Sequence, residues 1–81
     1  MDGYTWVAHS EVVEELFALS ADDRKVILKH FYEISASPGH HKVQSFTDED
    51  GDILHFSPIG SWVVAFRVDE AIREVHFLAV E

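Results

Sequence analysis

The segment 61–69, which reads SWVVAFRVD, constrains the fold more than any other part of the chain. Its apolar residues are β-branched or aromatic and alternate in direction, which predicts a strand at the centre of a sheet. Gly60 precedes the segment and an acidic pair ends it, so both ends are bounded by turn-forming residues. One face of the strand would carry Trp62, Val64, Phe66 and Val68, and the other Val63, Ala65 and Arg67. Arg67 is the charge inside the strand and therefore the first candidate for a functional residue.

Two helices are predicted before this strand. Ser10 has the chemistry of a helix N-cap, and apolar residues follow it at helical spacing as far as Phe17. Ser20 begins a second helix in the same way, and the segment 35–39 ends it. Leu19 joins the two helices almost without a loop, so they form an antiparallel hairpin. The stripes facing the sheet would be Val12, Val13, Leu16 and Phe17, followed by Val26, Ile27, His30, Phe31 and Ile34.

The remaining segments alternate between apolar and polar residues and are bounded by turn signals. They predict strands at 4–9, 40–47, 52–57 and 74–80, in addition to 61–69. The resulting order, β-α-α-β-β-β-β, predicts an α+β fold in which a helical hairpin covers one face of an antiparallel sheet. The length of 81 residues fits a single domain, residues 1–81.

Composition limits the classes of site and partner. The chain has no Cys, which excludes disulfides and thiolate metal sites. Its net charge of −9 at pH 7 repels phosphate backbones, and favours a basic partner or simple solubility. No apolar segment is long enough to cross a bilayer and no signal peptide is visible, so we expect a cytoplasmic protein with no membrane partner. Apolar residues expected on the sheet surface favour a homodimer of the isolated chain, namely Ile53, Val63 and Leu78.

Several short phrases, taken in order, resemble a known family. They are Ser10-Glu11 before Val-Val-Glu-Glu-Leu, Leu19-Ser20 followed by Arg24, Ser37-Pro38-Gly39, the segment 60–69, and Val75 to Val80. The segment 60–69 is similar to a strand with the pattern Gly-Asp-Tyr-Arg-(apolar)-(apolar)-Tyr-x-(apolar)-Asp. In this order and spacing, nearly the whole chain resembles the RelE/ParE toxin superfamily of bacterial toxin–antitoxin modules.

The resemblance implies a RelE-like fold and a small cytoplasmic toxin held by a cognate antitoxin. Most RelE-type members cut mRNA on the ribosome without a metal, whereas ParE-type members poison DNA gyrase. The leading hypothesis is therefore a metal-independent endoribonuclease that inhibits translation, with ribosome and mRNA as its targets. Val63 stands where many members carry a strand Arg, and the acidic charge departs from a commonly basic family. Both departures favour the alternative, a catalytically inactive binding protein that engages an antitoxin or another basic partner; gyrase inhibition is the third possibility.

Side-chain alternation also predicts the candidate site. His55 is expected on the same sheet face as Arg67, and His76 joins them if the strand register suits. Cleavage at an RNA 2′-hydroxyl needs a base, an acid and a cation for the charge that develops on phosphorus. His55, Arg67 and His76 supply these groups and are the predicted catalytic residues, and Lys42 is a predicted phosphate contact. The same residues also fit a solvated sheet face without catalytic function.

No cofactor and no metal site are expected. His40 and His41 are adjacent, and adjacent side chains of an extended chain point in opposite directions. The acidic turn 48–52 lacks the ligand spacing and the closing Glu of a calcium loop. His30 lies on the apolar stripe of the second helix, where a hydrogen-bonded core histidine is the expected structure.

Overall fold

The computed structural model describes residues 3–81, which form two α-helices and five strands. In chain order the elements are β1 (Thr5–Ala8), α1 (Ser10–Ala18), α2 (Ala21–Ala36), a 3₁₀ turn (Pro38–His41), β2 (Gln44–Thr47), β3 (Ile53–Ile59), β4 (Trp62–Asp69) and β5 (Glu74–Val80). The predicted α+β order is confirmed. The predicted strand 40–47 is shorter than expected, because the 3₁₀ turn takes up its first residues.

The five strands form one sheet in the order β1-β5-β4-β3-β2. β2 pairs antiparallel with β3, β3 with β4, and β4 with β5, as predicted for a meander. β1 differs, because it pairs parallel with β5, and the sheet is therefore mixed rather than wholly antiparallel. A parallel partner requires a long connection between the two strands, and the helical hairpin begins that connection.

Both helices pack on one face of the sheet, here called the covered face, which carries Phe66 of β4 and Phe77 of β5. Phe31 of α2 stacks on Phe77 with ring centroids 3.8 Å apart and planes 6° from parallel. Trp6 of β1 meets the edge of Phe31 at 5.6 Å. The buried core consists of Val12, Leu16, Ile27, Phe31, Ile34, Val64, Phe66, Val75, Phe77 and Val80. The opposite face, here called the open face, carries Arg67 and His76.

The helical stripes are narrower than the sequence predicts. Val13, Phe17 and Val26 were expected to face the sheet, but they are 38%, 74% and 47% exposed. α1 has only nine residues, and it buries Val12 and Leu16, which are one turn apart. A short helix on the edge of a small core contacts the sheet along a single row, so the flanking apolar positions face outward.

The start of α2 is as predicted, and the start of α1 is one residue earlier. The Ser20 hydroxyl accepts a hydrogen bond from the Asp23 backbone N–H at 3.1 Å, which confirms Ser20 as an N-cap. α1 has His9 rather than Ser10 at its N-cap. The reason is that the His9 carbonyl already accepts hydrogen bonds from the N–H groups of Val12 and Val13, at 2.9 and 3.1 Å.

Arg24 closes the junction between the helices. Its Nε donates to the Leu16 carbonyl at 2.9 Å, and a terminal guanidinium nitrogen donates to the Leu19 carbonyl at 3.0 Å. The Leu16 carbonyl also accepts a hydrogen bond from the backbone N–H of Leu19, the C-cap residue, at 3.2 Å. The guanidinium therefore adds a second donor to the Leu16 carbonyl and supplies one to the Leu19 carbonyl at the end of α1. Within residues 3–81, neither helix combines the length and the apolar character needed to span a membrane.

Candidate functional site

The structure brings two of the predicted catalytic residues together. Arg67 and His76 are cross-strand partners on β4 and β5. Their neighbours Phe66 and Phe77 belong to the buried core, and side chains alternate along a strand, so Arg67 and His76 both project from the open face. The last strand therefore has the register that the predicted pairing of Arg67 with His76 required.

His55 lies on the covered face of the sheet, so its predicted placement on the same face as Arg67 is wrong. The cross-strand partner of His55 is Phe66, which is in the core. His55 is only 8% exposed, and Ser57, two residues further along β3, is 2% exposed. The face of β3 is determined by its register against β4, which the sequence does not contain.

Ser57 is held on the covered face by a hydrogen bond from the helical layer. His30 of α2 is 6% exposed, and its Nε2 lies 2.9 Å from the Ser57 hydroxyl. The ring of His41 meets the His30 ring edge-on at 5.3 Å. The predicted role of His30 as a hydrogen-bonded core histidine therefore describes its environment correctly, and His41 is packed rather than free in a loop.

His55 has the environment of a neutral structural histidine. Its Nδ1 is 2.6 Å from the Ser45 hydroxyl on β2, and its ring packs against Phe66. Burial lowers the pKa of His55, and the positive charge of Lys42 lowers it further. Burial likewise lowers the pKa of His30, an effect that His41 reinforces and Glu33 opposes.

These two lowered pKa values predict that acid destabilises the fold. An unfolded His has a pKa of about 6.5. Because the folded pKa values of His30 and His55 lie below that of the unfolded chain, the unfolded chain takes up protons first as the pH falls. The stabilising contribution is complete above about pH 6.5 and is lost as the pH drops through the window between the unfolded and folded pKa values.

Urea unfolding followed by circular dichroism at about pH 7.5 and about pH 5.5 measures this effect. We expect a lower free energy of unfolding at the acidic pH. A double variant, His30→Gln with His55→Gln, keeps polar groups beside Ser57 and Ser45 and should show a smaller difference between the two conditions. A native chain as stable at the lower pH as at the higher one would contradict the prediction.

A concavity of about 320 Å³ collects three of the four predicted site residues. Its lining includes residues of both sheet faces, such as His55 and Arg67. The full lining is Lys42, Gly51, Asp52, Ile53, His55, Arg67, Val68 and Glu70. Nη1 of Arg67 lies 3.6 Å from Oδ2 of Asp52. The two cationic side chains are thus matched by two carboxylates, and the concavity is balanced in charge rather than positive.

The open face contains a hydrogen-bonded group that sequence reasoning missed. Nε2 of His76 is 3.0 Å from Oε1 of Glu74, and Nδ1 of His76 is 3.3 Å from Nε2 of His9. Glu74 and His76 are two residues apart on a predicted strand, which was a signal for a shared face. His9 is brought to them by the parallel pairing of β1 with β5, which places Val7 opposite His76.

The acidic turn that was considered as a calcium loop is held by hydrogen bonds of its own. Between Gly3 and Glu81, no group of three or more His, Asp or Glu side chains is arranged to hold a metal ion. The acidic turn before β3 is closed by Asp48, whose carboxylate accepts from the N–H groups of Asp50 and Asp52 at 2.9 and 3.0 Å. Gly51 in this turn has a positive φ of 86°. Turn geometry therefore explains the acidic and glycine residues of this segment.

Comparison with known proteins identifies the fold. No family model matches the sequence, and no curated protein matches it. Among solved structures, the RelBE2 toxin–antitoxin complex of Mycobacterium tuberculosis is similar, with a TM-score of 0.83, 18% identity, and coverage of 98% of this chain and 96% of that chain. The RelE–RelB complex of the archaeon Pyrococcus horikoshii has a TM-score of 0.80 at 18% identity, and covers 100% of this chain and 94% of its own.

A mutant of the Escherichia coli toxin RelE in the free state is also similar, with a TM-score of 0.74 at 17% identity over 96% of this chain and 81% of that chain. At this level of identity, the similarity establishes the arrangement of the backbone. The chain has the fold of the RelE toxins.

Proposed function

We propose that this chain is the toxin-type component of a toxin–antitoxin pair and is held by a cognate antitoxin. The observation that carries the proposal is the RelE fold over practically the whole chain, together with the fact that two of the similar structures are of complexes. Large apolar side chains on the surface offer contact area for a partner chain. Those that are more than half exposed are Phe17, Tyr32, Val43, Phe46 and Ile72.

The toxic activity that we propose is inhibition of translation through ribosome-dependent cleavage of mRNA in the cytoplasm. Its support is the pairing of Arg67 with His76 on the open face, with Glu74 and His9 hydrogen-bonded to the same imidazole. Cleavage at a 2′-hydroxyl requires a base and a cation near the phosphate, and these side chains have that chemistry. The ribosome would supply the positioning of the mRNA.

A second candidate is a binding protein without catalytic activity on the same fold. The net charge of −9 and the contact of Arg67 with Asp52 favour it, because both weaken the attraction of a phosphate backbone. Such a protein would engage an antitoxin or another basic chain through its acidic surface.

Induced expression in a bacterial host distinguishes the two candidates. We expect growth arrest, and primer extension on ribosome-bound mRNA should map new 5′ ends inside codons. Arrest without new ends would reject mRNA cleavage and retain a toxin with another target. Normal growth with folded protein in the soluble fraction would reject the toxin proposal and leave the binding protein.

A further inference from the structure

Glu74, His76 and His9 form a chain of hydrogen bonds whose direction is determined by chemistry. An ionised carboxylate only accepts hydrogen bonds, so the contact of 3.0 Å between Glu74 Oε1 and His76 Nε2 requires a proton on Nε2. When the imidazole of His76 is neutral it carries only this one proton, and Nδ1 of His76 then has a free lone pair. The side chains of Glu74 and His76 are 29% and 18% exposed, so this pair is partly shielded from competing water.

The lone pair on His76 then determines the state of His9. Nε2 of His9 lies 3.3 Å from His76 Nδ1, and two lone pairs facing each other would repel. His9 Nε2 must therefore carry the proton and donate it, which leaves the lone pair of His9 on Nδ1. His9 is exposed, and although it occupies the N-cap position of α1, its imidazole makes no capping hydrogen bond. The chain of bonds thus ends in a bare nitrogen at the surface.

We propose that Glu74 and His76 are positioning residues that orient and polarise His9, and that Nδ1 of His9 is the base that takes the proton from an RNA 2′-hydroxyl. This inference rests on the proposed mRNA cleavage. A carboxylate behind an imidazole fixes its tautomer and stabilises the cation that forms when the imidazole accepts a proton. Because both ring nitrogens of His76 already have partners, His76 acts through His9 rather than on RNA directly.

In the cleavage step the 2′ O–H bond breaks and its proton moves to His9 Nδ1. The 2′ oxygen forms a bond to phosphorus, the bond from phosphorus to the 5′ oxygen breaks, and that oxygen takes a proton from water. The hydroxide that remains takes the proton from His9, which returns to its neutral state. The products are a 2′,3′-cyclic phosphate and a free 5′-hydroxyl. Arg67, the cross-strand partner of His76, stabilises the charge on the phosphoryl oxygens.

The spacing of the strands is compatible with these roles. β1, which leads to His9, is separated from β4, which carries Arg67, only by β5. Neighbouring strands lie about 4.8 Å apart, so the two backbones are about 10 Å apart, which the long Arg side chain and a phosphodiester can bridge. Arg67 would have to leave Asp52, and the 3.6 Å contact between half-exposed side chains is weak enough to permit this.

Imidazole tautomers measured by ¹⁵N NMR in mildly alkaline buffer test the relay without any RNA. We expect His76 and His9 each to carry the proton on Nε2. The variant Glu74→Val keeps a good strand former and removes the acceptor, and should leave His76 in a mixture of tautomers. Its control, Glu49→Gln in the exposed turn before β3, removes the same charge and should leave both tautomers unchanged. A proton on Nδ1 of His9 in the native chain would overturn the relay.

Cleavage of mRNA on purified ribosomes tests the base. His9→Asn retains a residue that favours the N-cap position and is expected to lower the cleavage rate by about 10²-fold or more. The matched control His40→Asn, at an exposed position in the 3₁₀ turn, should cleave at the native rate. A native rate in His9→Asn would overturn the assignment of the base. An inactive native chain would overturn the cleavage proposal, and the tautomers would then decide the relay alone.

Discussion

Replacing Arg67 by Gln is expected to lower ribosome-dependent mRNA cleavage by about 10²–10³-fold, the typical loss when one donor to a developing oxyanion is removed. Arg67 is the cationic partner of His76 on the open face, and Gln keeps a polar side chain of similar length without the charge. The measurement is the single-turnover cleavage rate in a purified translation system. Lys25→Gln is the matched control, since it removes one positive charge from an exposed position on α2 and should retain the native rate. Equal rates for native chain and Arg67→Gln would reject a role for Arg67 at the phosphate.

A second variant, at Asp52, should change the cleavage rate in the opposite direction. Nη1 of Arg67 lies 3.6 Å from Asp52 Oδ2, and the side chains are 37% and 50% exposed. Asp52→Asn removes the competing carboxylate and leaves the turn intact, because Asp48 accepts the backbone N–H of residue 52. If Arg67 binds phosphate, this variant should cleave at least as fast as the native chain. A decrease would show that Asp52 is itself needed for the reaction.

Most of the fold could be predicted because the local sequence signals, alternation and helix capping, agree with the elements that form. The alternation in the segment 61–69 corresponds to β4, and the hydroxyl of Ser20 caps α2 as its position suggested. The parallel pairing of β1 could not be read from alternation, because alternation defines the two faces of a strand and not its neighbour or direction. Val13 and Phe17 show a similar limit. Their helical spacing fits a broad apolar stripe, but it does not tell how much of that stripe α1 buries.

The candidate site was predictable only in part, for the same physical reason. Arg67 was placed on the face opposite Phe66, and His76, which alternates with Phe77, was expected to share that face if the register suited, as it does in the structure. β3 offers no such guide: Leu54 and Phe56 are as apolar as the residues of a core face, and they suggested that His55 points outward. In the structure, His55 and Ser57 lie on the covered face. Hydrogen bonds with Ser45 and His30 compensate for the burial of their polar groups.

Phe31 is the residue whose truncation should destabilise the chain most. It is fully buried, stacks on Phe77 with ring centroids 3.8 Å apart, and meets the edge of Trp6. Through Phe77 it also supports β5, the strand that carries both Glu74 and His76. Phe31→Ala deletes a buried aromatic ring and leaves a cavity between α2 and the sheet.

The expected loss for Phe31→Ala is about 3–5 kcal/mol in the free energy of unfolding. Domains of this kind have about 5–15 kcal/mol in total, so much of the stability would disappear. Urea unfolding followed by circular dichroism measures the loss, and Phe17→Ala is the matched control on the other helix. Phe17 is 74% exposed, and the guanidinium of Arg24 lies 5.8 Å from its ring centroid, so that variant should lose less than about 1 kcal/mol. Similar losses for the two variants would show that α2 does not pack on β5 through Phe31, and the position of the Glu74–His76–His9 group would then need another support.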